Sequence, residues 1–157
     1  MPKMNWFDLS AMQLGKYAEY YAKMEFASYG FDVYTSEVDD HGVDFVAKAP
    51  KEKVFYEVQV KSVRDYKYTY ISKGKMPELS DDRLVCYIHF IENNQLPDVF
   101  VIPASAWKTP NAVLVEYGKE DDGKGEWGIN ISRKNYAILN EYCIETWMNN
   151  IGEKNDG

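Results

Sequence analysis

The sequence predicts an α/β (α+β) protein in which a central mixed β-sheet is flanked by helices. An amphipathic helix comes first, a meander of three strands and further strands follow, and a second amphipathic helix closes the chain. Helices and sheets that each carry an apolar side bury it against one another, so this order indicates a sheet covered by helices. The chain has 157 residues, and we expect one domain over residues 1–151 followed by a disordered tail over 152–157.

The first helix is predicted from about Asp8 to Tyr29. Asp8 or Ser10 can cap its amino end with a side-chain oxygen, and Gly30 can adopt the left-handed conformation that often ends a helix. Apolar side chains recur at helical spacing and define the face that should be buried. They are Leu14, Ala18, Tyr21, Ala22 and Tyr29.

Three strands are predicted next, over residues 31–37, 43–48 and 54–63, with a turn at 39–42 and a hairpin loop at 49–53. The run 84–91 is almost entirely apolar, which is typical of a central strand covered on both faces. His89 lies in this run and is expected to be a hydrogen-bonded core histidine. The remaining predicted elements are strands at 99–102, 112–117 and 127–132, a helical turn at 104–107 and a closing helix at 133–150.

Composition and charge exclude several classes of protein. The formal net charge is −7, which argues against a protein that coats DNA through charge alone. No apolar run reaches the roughly 20 residues that span a bilayer, and the first residues lack the apolar core of a secretory signal. Cys86 and Cys143 form no metal-like cluster, so we expect free thiols in a reducing, cytoplasmic compartment and no membrane partner.

A polar stripe on one predicted strand is the most informative feature of the sequence. Glu57, Gln59 and Lys61 alternate with Val58 and Val60, and alternate side chains of a strand point to the same face. If the hairpin pairs residue 44 with residue 57 or 59, Asp44 joins these polar groups on that face. The sequence alone does not fix this register.

The region from Leu14 to Lys61 resembles the PD-(D/E)xK superfamily, which includes restriction endonucleases and Holliday-junction resolvases. The resemblance rests on order and spacing: Glu19 in the first helix, then Gly42-Val43-Asp44, then Gln59-Val60-Lys61. It departs from the superfamily pattern at Gln59, where an acidic residue is usual, and it resembles uncharacterised bacterial families with a Gln-Val-Lys-Ser string. The resemblance implies a restriction endonuclease-like fold.

The resemblance also implies a site that binds Mg²⁺ or Mn²⁺ and hydrolyses phosphodiester bonds of DNA. Asp44 would be the main metal ligand, with the Gln59 amide oxygen, the Val60 carbonyl and Glu19 as further ligands. Lys61 would orient or deprotonate the attacking water. Glu57, on the same strand face, and His41, in the turn before Asp44, are auxiliary candidates.

DNA is the expected partner, and a basic excess supports it locally. Residues 48–83 carry nine Lys or Arg and six Asp or Glu, whereas the flanking segments are acidic. The candidate contacts to nucleic acid are Arg64, Lys67, Lys73 and Lys75. Many such nucleases cut both strands as dimers, so a homodimer is also considered, although no dimer face is evident from the sequence.

Two other interpretations remain open at this point. Gln59 and the acidic surface favour a catalytically weak or inactive nuclease-fold domain that binds nucleic acid or a protein partner. An unrelated α/β interaction domain would place Asp44 and Lys61 on opposite sides of the sheet. Taken singly, Gln59 and Lys61 also fit a solvated strand face, and Glu57 and Lys61 fit a surface ion pair.

Overall fold

A computed structural model describes residues 2–37, 41–118 and 124–156, with side chains up to residue 152. The predicted turn residues Asp39 and Asp40 therefore lie outside the described residues. The first half of the chain contains α1 (Ala11–Ser28), β1 (Asp32–Thr35), β2 (Phe45–Lys48), β3 (Phe55–Arg64) and β4 (Thr69–Ser72). The second half contains β5 (Arg83–Phe90), β6 (Asp98–Pro103), β7 (Leu114–Tyr117), β8 (Glu126–Ile129), α2 (Tyr136–Leu139) and α3 (Ile144–Asp156).

Helix α1 begins and ends where its capping residues dictate. Ser10 accepts a hydrogen bond from the Gln13 amide while the Gln13 side chain accepts one from the Ser10 amide, which completes a capping box. Gly30, just past the helix, has a φ of 89°, a left-handed conformation that costs glycine little. The predicted helix is confirmed, and Ser10 rather than Asp8 caps it.

The strands form two sheets. The larger sheet has the order β1-β2-β3-β5-β6, with β3 and β5 parallel and every other neighbouring pair antiparallel. The smaller sheet has the order β4-β8-β7 and is antiparallel. The crossover from β3 to β5 passes through β4, so the smaller sheet lies over one face of the larger one. The predicted mixed sheet flanked by helices is confirmed.

Two hydrophobic cores lie on opposite faces of the larger sheet, and β5 contributes to both. Leu84, Cys86 and Ile88 belong to the core under α1 and α3, whereas Val85 and Tyr87 belong to the core under the smaller sheet. All eight residues of β5 are buried, which explains why its sequence is apolar without alternation.

The prediction of one continuous closing helix over 133–150 is wrong. The chain forms α2, then a 3₁₀ turn at Asn140–Tyr142, and then α3. Cys143 separates them with an extended backbone (φ −58°, ψ 147°) and makes an isolated antiparallel bridge with Phe100 of β6. Pairing with the sheet thus replaces helical hydrogen bonding at one residue. Helix α3 then runs to Asp156, through most of the segment where the sequence indicates a disordered tail.

No described helix is both long and apolar enough to cross a membrane.

His89 is fully buried in β5 and hydrogen-bonded, as expected from the sequence. Its Nε2 contacts the Asp65 carbonyl, and its Nδ1 lies 2.8 Å from the Tyr136 hydroxyl, which donates to Asp98 at 2.7 Å. Burial lowers the pKa of His89, although the Asp65 carbonyl and the Asp98 charge oppose that effect. The folded protein therefore favours the neutral imidazole.

This burial makes stability depend on pH in a defined direction. The unfolded chain, in which the pKa of His89 is about 6.5, binds the proton more readily than the folded chain does. The contribution of His89 is therefore complete above about pH 6.5 and is lost as the pH falls through the lowered folded pKa. We expect His89→Leu to lower the free energy of unfolding by about 1–3 kcal/mol near neutral pH, because the Asp65 carbonyl loses its partner.

Urea denaturation across this pH range checks the prediction. His89→Leu should also weaken the loss of stability on acidification, whereas a control substitution of the exposed His41 to Gln should keep the parent slope. Equal slopes in the parent and His89→Leu would contradict the assignment.

Candidate active site

The pairing of β2 with β3 brings Asp44 to the polar stripe. Phe45 lies opposite Val58, so Asp44, the residue just before β2, comes opposite Gln59. The Asp44 amide donates to the Val58 carbonyl at 2.8 Å, and the Val60 amide donates to Asp44 Oδ2 at 2.7 Å. The carboxylate is thus held against the backbone of β3, in one of the two registers that the sequence allowed.

The stripe lies on the face of the larger sheet that carries the smaller sheet. In the parallel pairing of β3 with β5, Gln59 is beside Val85 and Lys61 is beside Tyr87, and both neighbours belong to that second core. The side chain of Glu57 is 59% exposed, whereas Gln59 is only 7% exposed and Lys61 is half-buried. Gln59 is therefore not part of a solvated strand face.

The Gln59 side chain carries an unsatisfied oxygen. Its Oε1 is buried and accepts no hydrogen bond within the described part of the chain. A buried polar atom without a partner costs about 1–3 kcal/mol, so the position is expensive unless the oxygen meets a ligand. A cation or a water molecule can supply the missing partner.

Lys61 carries its charge in an unfavourable environment. Burial lowers the pKa of Lys61, the neighbouring charge of Lys75 lowers it further, and Asp44 acts in the opposite direction. Lys61 follows Gln59 on the strand face that Asp44 shares. An amine with a lowered pKa releases its proton more readily and can exchange protons with a nearby water.

Gly42 lies where the parts of the site converge. Its φ is 70°, and a Cβ built on it would lie 3.2 Å from each of three atoms: Gln59 Oε1, Arg83 Nη2 and Lys75 Cβ. Both the positive φ and this crowding favour glycine, two residues before Asp44.

Arg83 is a residue of the site that sequence reasoning missed. It opens β5, is only 9% exposed, and its Nη2 donates to the carbonyls of His41 (2.9 Å), Gly42 (3.2 Å) and Lys75 (3.1 Å). Its Nη1 lies 3.4 Å from Glu57 Oε2. A charge at the start of an otherwise apolar strand was the available signal, because buried charges are rare unless they are partnered.

Glu19 occupies the helix predicted for it but is engaged with other groups. Its Oε1 lies 3.2 Å from Lys23 Nζ, and its Oε2 lies 3.9 Å from Lys16 Nζ. Lys23 also donates to Thr35 Oγ1 at 3.2 Å, and Thr35 pairs with Phe45, the residue after Asp44. The structure thus brings Asp44, Gln59 and Lys61 together, whereas the described contacts of Glu19 are to Lys16 and Lys23 on the face of the sheet that α1 covers.

The four basic residues proposed for nucleic acid divide into two pairs. Arg64 donates to the carbonyls of Trp6 and Leu9 at 2.9 and 2.6 Å. Lys73 donates to the Gly118 carbonyl at 2.9 Å and lies 3.4 Å from Glu116. Both therefore have structural roles. Lys67 and Lys75 are exposed, and the His41 side chain is exposed as well.

The oxygen donors fit Mg²⁺ better than they fit a softer metal. Within the described residues there is no group of three His, Cys, Asp or Glu side chains able to hold a metal ion. Mg²⁺ is often bound by one or two protein oxygens, with water and phosphate completing its shell. Asp44 and the unsatisfied Gln59 oxygen, on facing strands, meet that minimal requirement.

The unsatisfied oxygen leads to a stability prediction. In the absence of metal, Gln59→Leu should leave the free energy of unfolding unchanged or raise it by up to about 1 kcal/mol, because a costly buried acceptor is removed. Urea denaturation in EDTA measures this. As a control, Gln13→Leu should destabilise the protein, because the Gln13 side chain completes the capping box of α1. A comparable loss of stability in Gln59→Leu would contradict the interpretation.

Comparison with solved structures shows a similar architecture in another protein. The chain is similar to a bacterial homing endonuclease, I-Ssp6803I, with a TM-score of 0.58, 16% identity, and coverage of 93% of this chain and 96% of that one. It is also similar to the Holliday junction resolvase Hjc of Archaeoglobus fulgidus, with a TM-score of 0.48, 15% identity, and coverage of 76% and 91%.

Comparison by sequence gives no further relatives. No protein-family model matches the chain, and no curated protein matches it. The likeness to solved structures therefore concerns the fold. The chain shares its fold, a central mixed sheet flanked by helices, with the homing endonuclease.

Proposed function

We propose that this protein is a divalent-metal-dependent endonuclease that hydrolyses phosphodiester bonds of DNA. The observation that carries the proposal is the meeting of Asp44 and Gln59 across β2 and β3, with Lys61 next along the same strand face. The fold shared with a homing endonuclease supports the same reaction class. Repair, recombination and defence against foreign DNA are the processes in which such an activity would serve.

Asp44 and Gln59 would hold the metal ion. The Asp44 carboxylate supplies charge, and its orientation is set by the Val60 amide. The Gln59 oxygen supplies a neutral and weaker ligand. The Val60 carbonyl and Glu19 are the further ligands that the resemblance implies, with Glu19 acting directly or through water.

Lys61 would act on the attacking water and the scissile phosphate. Hydrolysis forms one bond from the water oxygen to phosphorus, breaks one ester bond, and requires a proton on the leaving oxygen. A bound Mg²⁺ acidifies water and offsets charge that develops on the phosphate. The half-buried Lys61 amine faces the Asp44 side of the site, where it can orient the water, take up its proton and stabilise the phosphate oxygens.

The surroundings suggest how DNA would approach. The exposed Lys67 and Lys75 remain proposed contacts to the phosphate backbone, whereas the internal hydrogen bonds of Arg64 and Lys73 make them weaker candidates. His41 is exposed in the turn before Asp44. A homodimer remains a proposal for the cleavage of both strands.

A second function is favoured by one observation. Gln59 supplies no charge, and the nearby Glu57 lies 3.4 Å from Arg83, so its carboxylate is shared with a guanidinium. A site with a single carboxylate ligand binds metal weakly. The alternative is therefore a catalytically weak or inactive domain of the same fold that binds nucleic acid or a protein partner.

Cleavage of supercoiled, linear and branched DNA in Mg²⁺ or Mn²⁺ tests the proposed activity. Asp44→Ala and Lys61→Ala should each lower the cleavage rate by at least about 100-fold, because one removes the charged ligand and the other removes the positioned amine.

Matched controls are available elsewhere in the chain. Asp32 and Lys51 are exposed and lie outside the site, so Asp32→Asn and Lys51→Ala should cleave at the parent rate. Absence of cleavage by the parent, or parent-like cleavage by Asp44→Ala and Lys61→Ala, would contradict the proposal.

A further inference from the structure

The Arg83 guanidinium joins two segments that are distant in sequence. Its Nη2 donates to the carbonyls of His41 and Gly42 in the turn before Asp44. The same atom donates to the carbonyl of Lys75 in the loop between β4 and β5. These contacts span 42, 41 and 8 residues of chain. A lysine has a single nitrogen that ends one bond short of Nη2, so it could not reach these carbonyls and Glu57 at once.

The burial of Arg83 argues against a role as an ordinary surface charge. Arg83 is only 9% exposed, and burying a guanidinium is costly unless its donors are satisfied. Its nearest carboxylate, on Glu57, is largely exposed, so that ion pair contributes little. Arg83 Nε is buried without a hydrogen-bond partner among the described residues, so the carbonyls that accept from Nη2 are the main contacts that offset the cost of burial.

The loop that Arg83 fixes carries a second cation to the site. Lys75 has an exposed side chain, while its Cβ lies against Gly42 and its carbonyl is held by Arg83. Two neighbouring positive charges repel each other unless an anion binds between them. A Cβ built on Gly42 would lie 3.2 Å from both Lys75 Cβ and Gln59 Oε1, so the Lys75 side chain begins beside the strand face that carries Lys61, and the two amines can reach one phosphate.

We propose that Arg83 is a positioning residue that holds Lys75 beside Lys61, so that the two lysines together bind a backbone phosphate of the DNA strand. This inference rests on the proposed function and adds to it a residue from another strand and a defined ligand for Lys75. Arg83 acts through its carbonyl contacts and does not itself touch the phosphate.

A double-mutant cycle on DNA binding tests the coupling. The probe is a fluorescein-labelled DNA duplex in EDTA, with affinity measured by anisotropy over a range of salt concentrations. In the parent, Lys75→Ala should weaken binding and reduce the slope of log affinity against log salt by about one, as expected for one lost phosphate contact. In an Arg83→Lys background Lys75 is no longer held in place, so Lys75→Ala should change neither the affinity nor the salt slope.

Lys67 provides the matched control, because it is exposed on the same segment and makes no contact with Arg83 among the described hydrogen bonds. The effect of Lys67→Ala should be the same in both backgrounds. If Arg83→Lys acts only on the fold as a whole, Lys75→Ala should weaken DNA binding as much in that background as in the parent.

If circular dichroism shows that Arg83→Lys does not fold, Gly42→Ala replaces it, since the added Cβ would crowd both Arg83 and Lys75.

Each outcome decides a different part of the inference. Additive effects of Arg83→Lys (or Gly42→Ala) and Lys75→Ala overturn the positioning role, whether or not the protein cleaves DNA. Coupled effects in a parent that binds DNA without cutting it support the positioning role while the proposed nuclease activity fails. A parent that does not bind the duplex overturns the phosphate contact of the two lysines, whereas cleavage in Mg²⁺ or Mn²⁺ decides the nuclease activity separately.

Discussion

The hydrogen bond from the Val60 amide to the Asp44 carboxylate is the interaction on which the proposed site depends. It is 2.7 Å long, and it makes a side chain the acceptor for an amide of β3 at the point where pairing with β2 ends. A charged acceptor makes such a bond stronger than a neutral one would. The bond therefore fixes the carboxylate on the same face as Gln59 and Lys61 and prevents it from turning towards solvent.

The two cores explain why this position can hold partly buried polar groups. The larger sheet is covered on one face by α1 and α3 and on the other by the smaller sheet. The stripe on β3 begins exposed at Glu57, becomes buried at Gln59, and passes through Lys61 to the core residue Val63. Electrostatic interactions at such a boundary are stronger than in bulk water, and the fold keeps the groups in place before any ligand arrives.

Much of the fold and part of the site could be predicted from the sequence because the signals are local. The capping box of α1, the alternation along β3 and the continuous apolar run of β5 each describe neighbouring residues. The proximity of Asp44 to the stripe also followed, once a hairpin register was assumed. The third interpretation, with Asp44 and Lys61 on opposite sides of the sheet, does not match the observed geometry.

The parts that were missed depend on contacts between distant segments. Nothing near Arg83 in sequence shows that its guanidinium reaches the carbonyls of residues 41 and 42. The role of Gly42 is similar, because its crowding arises from β3, β5 and the loop at Lys75. The interruption of the closing helix at Cys143 has the same origin, since it results from a bridge to Phe100 that the helical pattern of residues 133–150 does not reveal.

Calorimetric titration of the protein with Mn²⁺ tests most directly whether Asp44 and Gln59 form one metal site. We expect binding by the parent, loss of that binding in Asp44→Asn, and tighter binding in Gln59→Glu, which supplies the charge that the amide lacks. No binding by the parent, or binding that survives Asp44→Asn unchanged, would contradict it.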